Sequence, residues 1–116
     1  MDIYNAWFDL KAGVSDVEFS DRLKTYMDSL KSDGLMQGWR LTRRKLGLSA
    51  APVGEFHLMM EFLDLAQLDS AFNRVGSRRE PIEGVHFGVN SLVANVQFAL
   101  YRDFPDSIRH RGDEKF

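Results

Sequence analysis

Residues 55–76 read EFHLMMEFLDLAQLDSAFNRVG, and inside this one stretch the hydrophobic period changes from two to about 3.6. From Glu55 to Leu63, Phe56, Leu58, Met60 and Phe62 fall on one side and His57, Met59 and Glu61 on the other. That alternation predicts a strand with one face in a core. Asp64 then offers a side-chain oxygen to a helix N-terminus, and Gln67 follows at the spacing of a capping box. Leu65, Leu68, Phe72 and Val75 supply the apolar stripe of that helix, and Gly76 supplies its stop. A strand that leads straight into a helix packed on its apolar face is half of an α+β sandwich.

The other half lies upstream. Tyr4, Ala6, Phe8 and Leu10 alternate with Asn5, Trp7 and Asp9, predicting a strand over Ile3 to Lys11. After a turn at Gly13, Ser15 and Glu18 form a second capping-box pattern. Phe19, Leu23, Tyr26, Met27 and Leu30 recur at helical spacing, and Gly34 suits the left-handed residue that ends a helix. Met36 to Leu48 reads as another strand, and Ser49 to Gly54 as a loop. Downstream, residues 77–92 read as a loop with room for one helical turn at Glu80-Pro81. Val93 to Arg102 closes the pattern as a strand, with Ala94, Val96, Phe98 and Leu100 against Asn95, Gln97, Ala99 and Tyr101. The order strand, helix, strand, strand, helix, strand predicts a ferredoxin-like βαββαβ fold: a four-stranded antiparallel sheet with both helices on one face. Strands one and three are expected at the centre. The domain is expected over residues 1–105, with a charged, aperiodic tail over 106–116.

Composition narrows the function. A chain of 116 residues, 44% hydrophobic, has room for a single core. Its net charge of −2, from 15 basic and 17 acidic residues, does not favour nucleic acid or an anionic membrane. The basic run Arg40, Arg43, Arg44, Lys45 falls on a predicted edge strand, where charge blocks unwanted strand pairing. Without cysteine there are no disulfides, thiolate metal sites or cysteine nucleophiles. No leader or membrane span is legible in the sequence, so a cytoplasmic location is expected.

The sheet face turned away from the helices is expected to carry Asn5, Trp7 and Asp9; His57, Met59 and Glu61; and Asn95, Gln97, Ala99 and Tyr101. Large aromatics and a methionine among hydrogen-bonding groups suit a partly covered surface that holds a small molecule. This order of elements and this face resemble the dimeric α+β barrel superfamily, in which two ferredoxin-like subunits pack sheet against sheet. Trp39 to Gly47 and Phe98 to Asp106 are similar to an uncharacterised bacterial family of that group. The resemblance implies a homodimer formed through the sheet face, with a cavity for a small apolar or aromatic molecule. Cofactor-independent monooxygenases and haem-degrading enzymes of the superfamily use an Asn, a Trp and a His there. The candidates here are Asn5, Trp7 or Trp39, and His57 or His86. The superfamily's tryptophan lies on the third strand, where this chain has none, so no cofactor is expected and haem is the weaker reading.

His57 is the expected acid or base, beside Asn5 if strands one and three run in parallel register. The same register makes Asp9 and Glu61 lateral neighbours, able to share a proton unless Arg40 or Arg44 neutralises them. Asn5, Asn95 and Gln97 would orient a substrate, with Trp7 and Met59 as its wall. No metal site is expected, because His57 and Glu61 stand ~13 Å apart along an extended strand. The competing reading is a non-catalytic binding or interaction protein in which this face is only an interface.

Overall fold

The computed structural model describes residues 1–77 and 88–113, so His86 and the Glu80-Pro81 helix start lie outside the described residues. The elements follow the expected order: β1 (Asp2–Leu10), α1 (Asp16–Ser32), β2 (Gly38–Arg43), β3 (Phe56–Phe62), α2 (Leu65–Gly76) and β4 (Val93–Arg102). They form one sheet in the order β2-β3-β1-β4, antiparallel at every pairing. This is the ferredoxin-like α+β fold.

Both helix starts are built from the residues that signalled them. Ser15 Oγ accepts the Glu18 backbone N–H at 3.3 Å, and Asp64 Oδ1 accepts that of Gln67 at 2.8 Å. The return contacts differ. Gln67 Oε1 accepts the Leu63 N–H at 2.7 Å, while Glu18 turns its carboxylate to Arg22 instead. Helix α1 ends at Gly34, whose φ is +71°, with Leu35 N–H bonded to Leu30 O and Gly34 N–H to Lys31 O. That is the paired closure a left-handed terminal residue permits. Gln67 Nε2 also donates to Gly34 O at 3.0 Å, which ties the start of α2 to the end of α1.

Packing follows the stripes. From α1, Phe19, Leu23, Met27 and Leu30 are buried against Ala6, Phe8, Phe56, Leu58 and Phe62 of the sheet. Each large side chain withdrawn from water in this way contributes about 1.5–3 kcal/mol. Helix α2 covers less, since only Ala71 is fully buried and Phe72 meets the Tyr4 ring edge-on at 5.0 Å. Both helices therefore sit on one face. Among the described residues, no helix is long and apolar enough to cross a membrane.

Two expectations are corrected. Strand β2 is shorter than Met36 to Leu48, because Leu46 and Gly47 both take positive φ and turn the chain away from the sheet. Strands β1 and β3 are antiparallel, with Ile3 opposite Glu61 and Trp7 opposite His57. The reason is topological. The crossover through α1 carries the chain back so that β2 runs parallel to β1, and β3, inserted between them and antiparallel to β2, must oppose β1 as well.

Candidate functional site

Because facing positions in neighbouring strands share a side of the sheet, the register sorts the open face into rows. One row runs Gly38, Glu61, Ile3, Tyr101; the next, Arg40, Met59, Asn5, Ala99; the third, Thr42, His57, Trp7, Gln97. At the centre stand Asn5, Met59, Trp7 and His57. Arg40 and Thr42 also stand on the open face, and their alternation with Trp39 and Leu41 is the sequence signal that places them there.

Within this block three side chains form a unit. Asn5 is buried at 6% exposure although no helix covers its side of the sheet. Its Nδ2 donates to Ile3 O at 3.1 Å and to Ala99 O at 3.4 Å, and its Oδ1 lies 2.8 Å from His57 Nε2. The His57 ring stacks on Trp7, with centroids 4.5 Å apart and planes 13° apart. Burial pulls the His57 pKa below its ordinary 6.5, so the imidazole is neutral at pH 7. His57 and Asn5 are thus diagonal rather than direct neighbours, since Asn5 faces Met59.

The carboxylates do not join this unit. Glu61 is opposite Ile3 and Asp9 lies six positions further along β1, which separates them by ~20 Å at ~3.3 Å per residue. The expected Asp9–Glu61 pair is therefore corrected by the antiparallel register. Asp9 instead serves the backbone: its Oδ1 accepts the Glu55 N–H at 2.9 Å and its Oδ2 accepts Asn95 Nδ2 at 3.2 Å. These bonds, the Glu55 N–H foremost, hold its pKa below the usual value and keep it ionised. Asn95 sits at a β-bulge, with φ +55°, where the β1–β4 register shifts between Trp7 and Asp9. The bulge turns Val93 towards Leu10 on the helix side and Ala94 towards Asp9, reversing the phase expected at the start of β4. Asn95 thus braces the strand against Asp9, while Gln97 stays beside Trp7.

Trp39 also leaves the site. It points to the helix side, where its Nε1 donates to Asp28 Oδ1 at 3.2 Å. Arg44 donates to the Val53 and Gly54 carbonyls, and its charge adds a smaller pull on Asp9. Among the described residues no group of three or more His, Asp or Glu is placed to hold a metal. The helix side has a cavity of about 380 Å3, with Tyr4, Phe72, Val75 and Phe98 among its apolar lining.

The fold is shared with proteins of very different sequence. At3g17210 from Arabidopsis thaliana superposes with a TM-score of 0.72 at 10% identity, covering 93% of this chain and 100% of its own. SnoaB, a cofactor-independent oxygenase from Streptomyces nogalater, gives 0.67 at 8% identity, covering 93% and 97%. A dimeric ferredoxin-like protein of unknown function from Jannaschia gives 0.63 at 9% identity, covering 89% and 100%. No curated protein matches the sequence. A family model, by contrast, spans residues 1–116 end to end, and the chain belongs to that family of unknown function, DUF6614.

Proposed function

We propose that two copies of this chain pack through their open sheet faces and enclose a small apolar or aromatic molecule, on which His57 acts as the base. The observation that carries this reading is the Asn5–His57–Trp7 unit. A buried amide holds a neutral imidazole by one nitrogen, and an indole covers one face of the ring. An imidazole kept neutral, with its lone pair free to accept, is suited to taking a proton from a hydroxyl and returning it. Met59 and Trp7 supply apolar wall, Thr42 borders the histidine, and Gln97 sets an amide on the far side of Trp7. Loss of a proton makes a phenol or enol electron-rich, and in the oxygenase form of this reading the anion's carbon forms a C–O bond with dioxygen, the O–O bond becoming a peroxide that takes back the proton held by His57.

Two likenesses support the reading without deciding it. SnoaB is an oxygenase that works without a cofactor, and the Jannaschia protein is dimeric. The competing reading, a non-catalytic dimer, draws on the engagement of Asp9 by Glu55 N–H and Asn95, so that among the described residues His57 has no carboxylate partner.

The test is native mass spectrometry of the purified protein under conditions that retain small molecules. A dimer carrying extra mass, lost in Trp7→Ala, is the expected result. A monomer would overturn the covered face. A dimer with no bound mass, before and after exposure to a library of small aromatic compounds, would favour the non-catalytic reading.

A further inference from the structure

We infer that Asn5 is a positioning residue that fixes the tautomer of His57, so that Nδ1 is the nitrogen presented to a ligand and the ligand must offer it a proton donor. This rests on the open face being the ligand site and goes further, because it names the reacting atom.

The reasoning begins at the backbone. Ile3 O and Ala99 O can only accept hydrogen bonds, so the Asn5 atom facing them must be the amide nitrogen. The orientation of a buried amide is ordinarily ambiguous, and here two carbonyls on different strands decide it. Oδ1 must then face His57, and a carbonyl oxygen can only accept, so Nε2 carries the hydrogen and donates across the 2.8 Å contact. In a neutral imidazole the other nitrogen, Nδ1, holds the lone pair. Among the described residues Nδ1 has no hydrogen-bond partner. Trp7 covers one face of the ring and leaves the in-plane lone pair unobstructed by that stack.

The titratable groups around this unit do not compete for it. On the open face Glu61 lies one row beyond Met59, towards Gly38, and Asp9 is ionised and bonded to Glu55 N–H and Asn95. Arg40 faces Met59 from β2, and Thr42, opposite His57, donates to the His57 carbonyl at 3.4 Å. A site organised in this way favours a hydroxyl or an acidic N–H, of the phenol or enol class, over a ligand that presents only a carbonyl or an ether oxygen.

The experiment is 15N–1H NMR of the imidazoles in the whole protein. His57 is expected to show a protonated Nε2 and an unprotonated Nδ1, with a slowly exchanging Nε2 proton that disappears in Asn5→Ala. In Asn5→Asp the carboxylate accepts the same bond, and the His57 pKa should rise by about one unit or more. A protonated Nδ1 in the native protein overturns the inference. So does an Nε2 proton unchanged in Asn5→Ala, or an unmoved pKa in Asn5→Asp. Phenol and anisole, added as paired probes, test the ligand class. Phenol should shift the Nδ1 resonance and anisole should not. Equal shifts overturn the donor requirement. No shift with either, while the tautomer stands, removes the ligand site and leaves the Asn5 contact a structural one.

Discussion

On the helix side of β1, Ala6 and Phe8 are buried among Phe19, Phe56 and Leu58, whereas on the other side of the same strand Asn5 and Trp7 meet His57 through a hydrogen bond and a ring stack. The first set is held by apolar contact, which is non-directional and scales with area. The second is held by directional bonds, each needing a particular atom at a particular place. Substitutions on the helix side should therefore cost the fold, and substitutions on the open side should cost specificity before stability.

The largest effect that would sharpen this contrast is Phe19→Ala. Phe19 is fully buried between α1 and the sheet, with its ring 5.4 Å from that of Phe8, and its loss should destabilise by about 3–5 kcal/mol in urea unfolding. A loss under 1 kcal/mol would mean the helix layer is not what holds the sheet.

Next comes Gly54→Ala. A Cβ on Gly54 would fall 2.4–2.6 Å from the Phe8 backbone, so one strand or the loop must move. The expected cost is about 1–3 kcal/mol, read from the same unfolding curve.

Asp9→Ala should come third, at about 1–2 kcal/mol, because it strands the Glu55 N–H and releases the Asn95 bulge from its brace. A backbone amide exchange experiment should show faster exchange at Glu55 in this variant, with amides near Phe62 unaffected.

The smallest effect belongs to the pH response of His57. Burial lowers its folded pKa below 6.5, so the unfolded chain takes up a proton more readily than the folded one. Stability should fall as pH drops below about 6.5, level off below the folded pKa, and be fully present above about 6.5. Comparing urea midpoints at about pH 7 and pH 5 should show a smaller drop in His57→Gln than in the native chain. Equal drops would assign the acid sensitivity to other groups.

The helices were legible because their signals are local. Ser15 with Glu18, Asp64 with Gln67, and the stripe from Phe19 to Leu30 all act within a few residues of chain. The membership of the open face was legible in β1 and β3 from a period of two. It failed at the start of β4, where Asn95 takes a positive φ and one extra residue resets the alternation. Nothing in a period of two announces a bulge. The site was half legible: Asn5, Trp7 and His57 stood on one face, but their mutual placement did not follow from that. A parallel and an antiparallel pairing put the same residues on the same face and exchange their neighbours.

By itself, then, the sequence determined the elements, their order, which side of each central strand is apolar, and the residue types available for chemistry, since each depends on short-range sterics and on the burial of apolar surface. Only the tertiary structure decided that His57 lies against Trp7 and bonds Asn5, that Asp9 and Glu61 are far apart, and that Trp39 belongs to the core side. Those facts depend on the direction and register of the β1–β3 and β2–β3 pairings, set by the crossover of α1 over the sheet and not by any local signal.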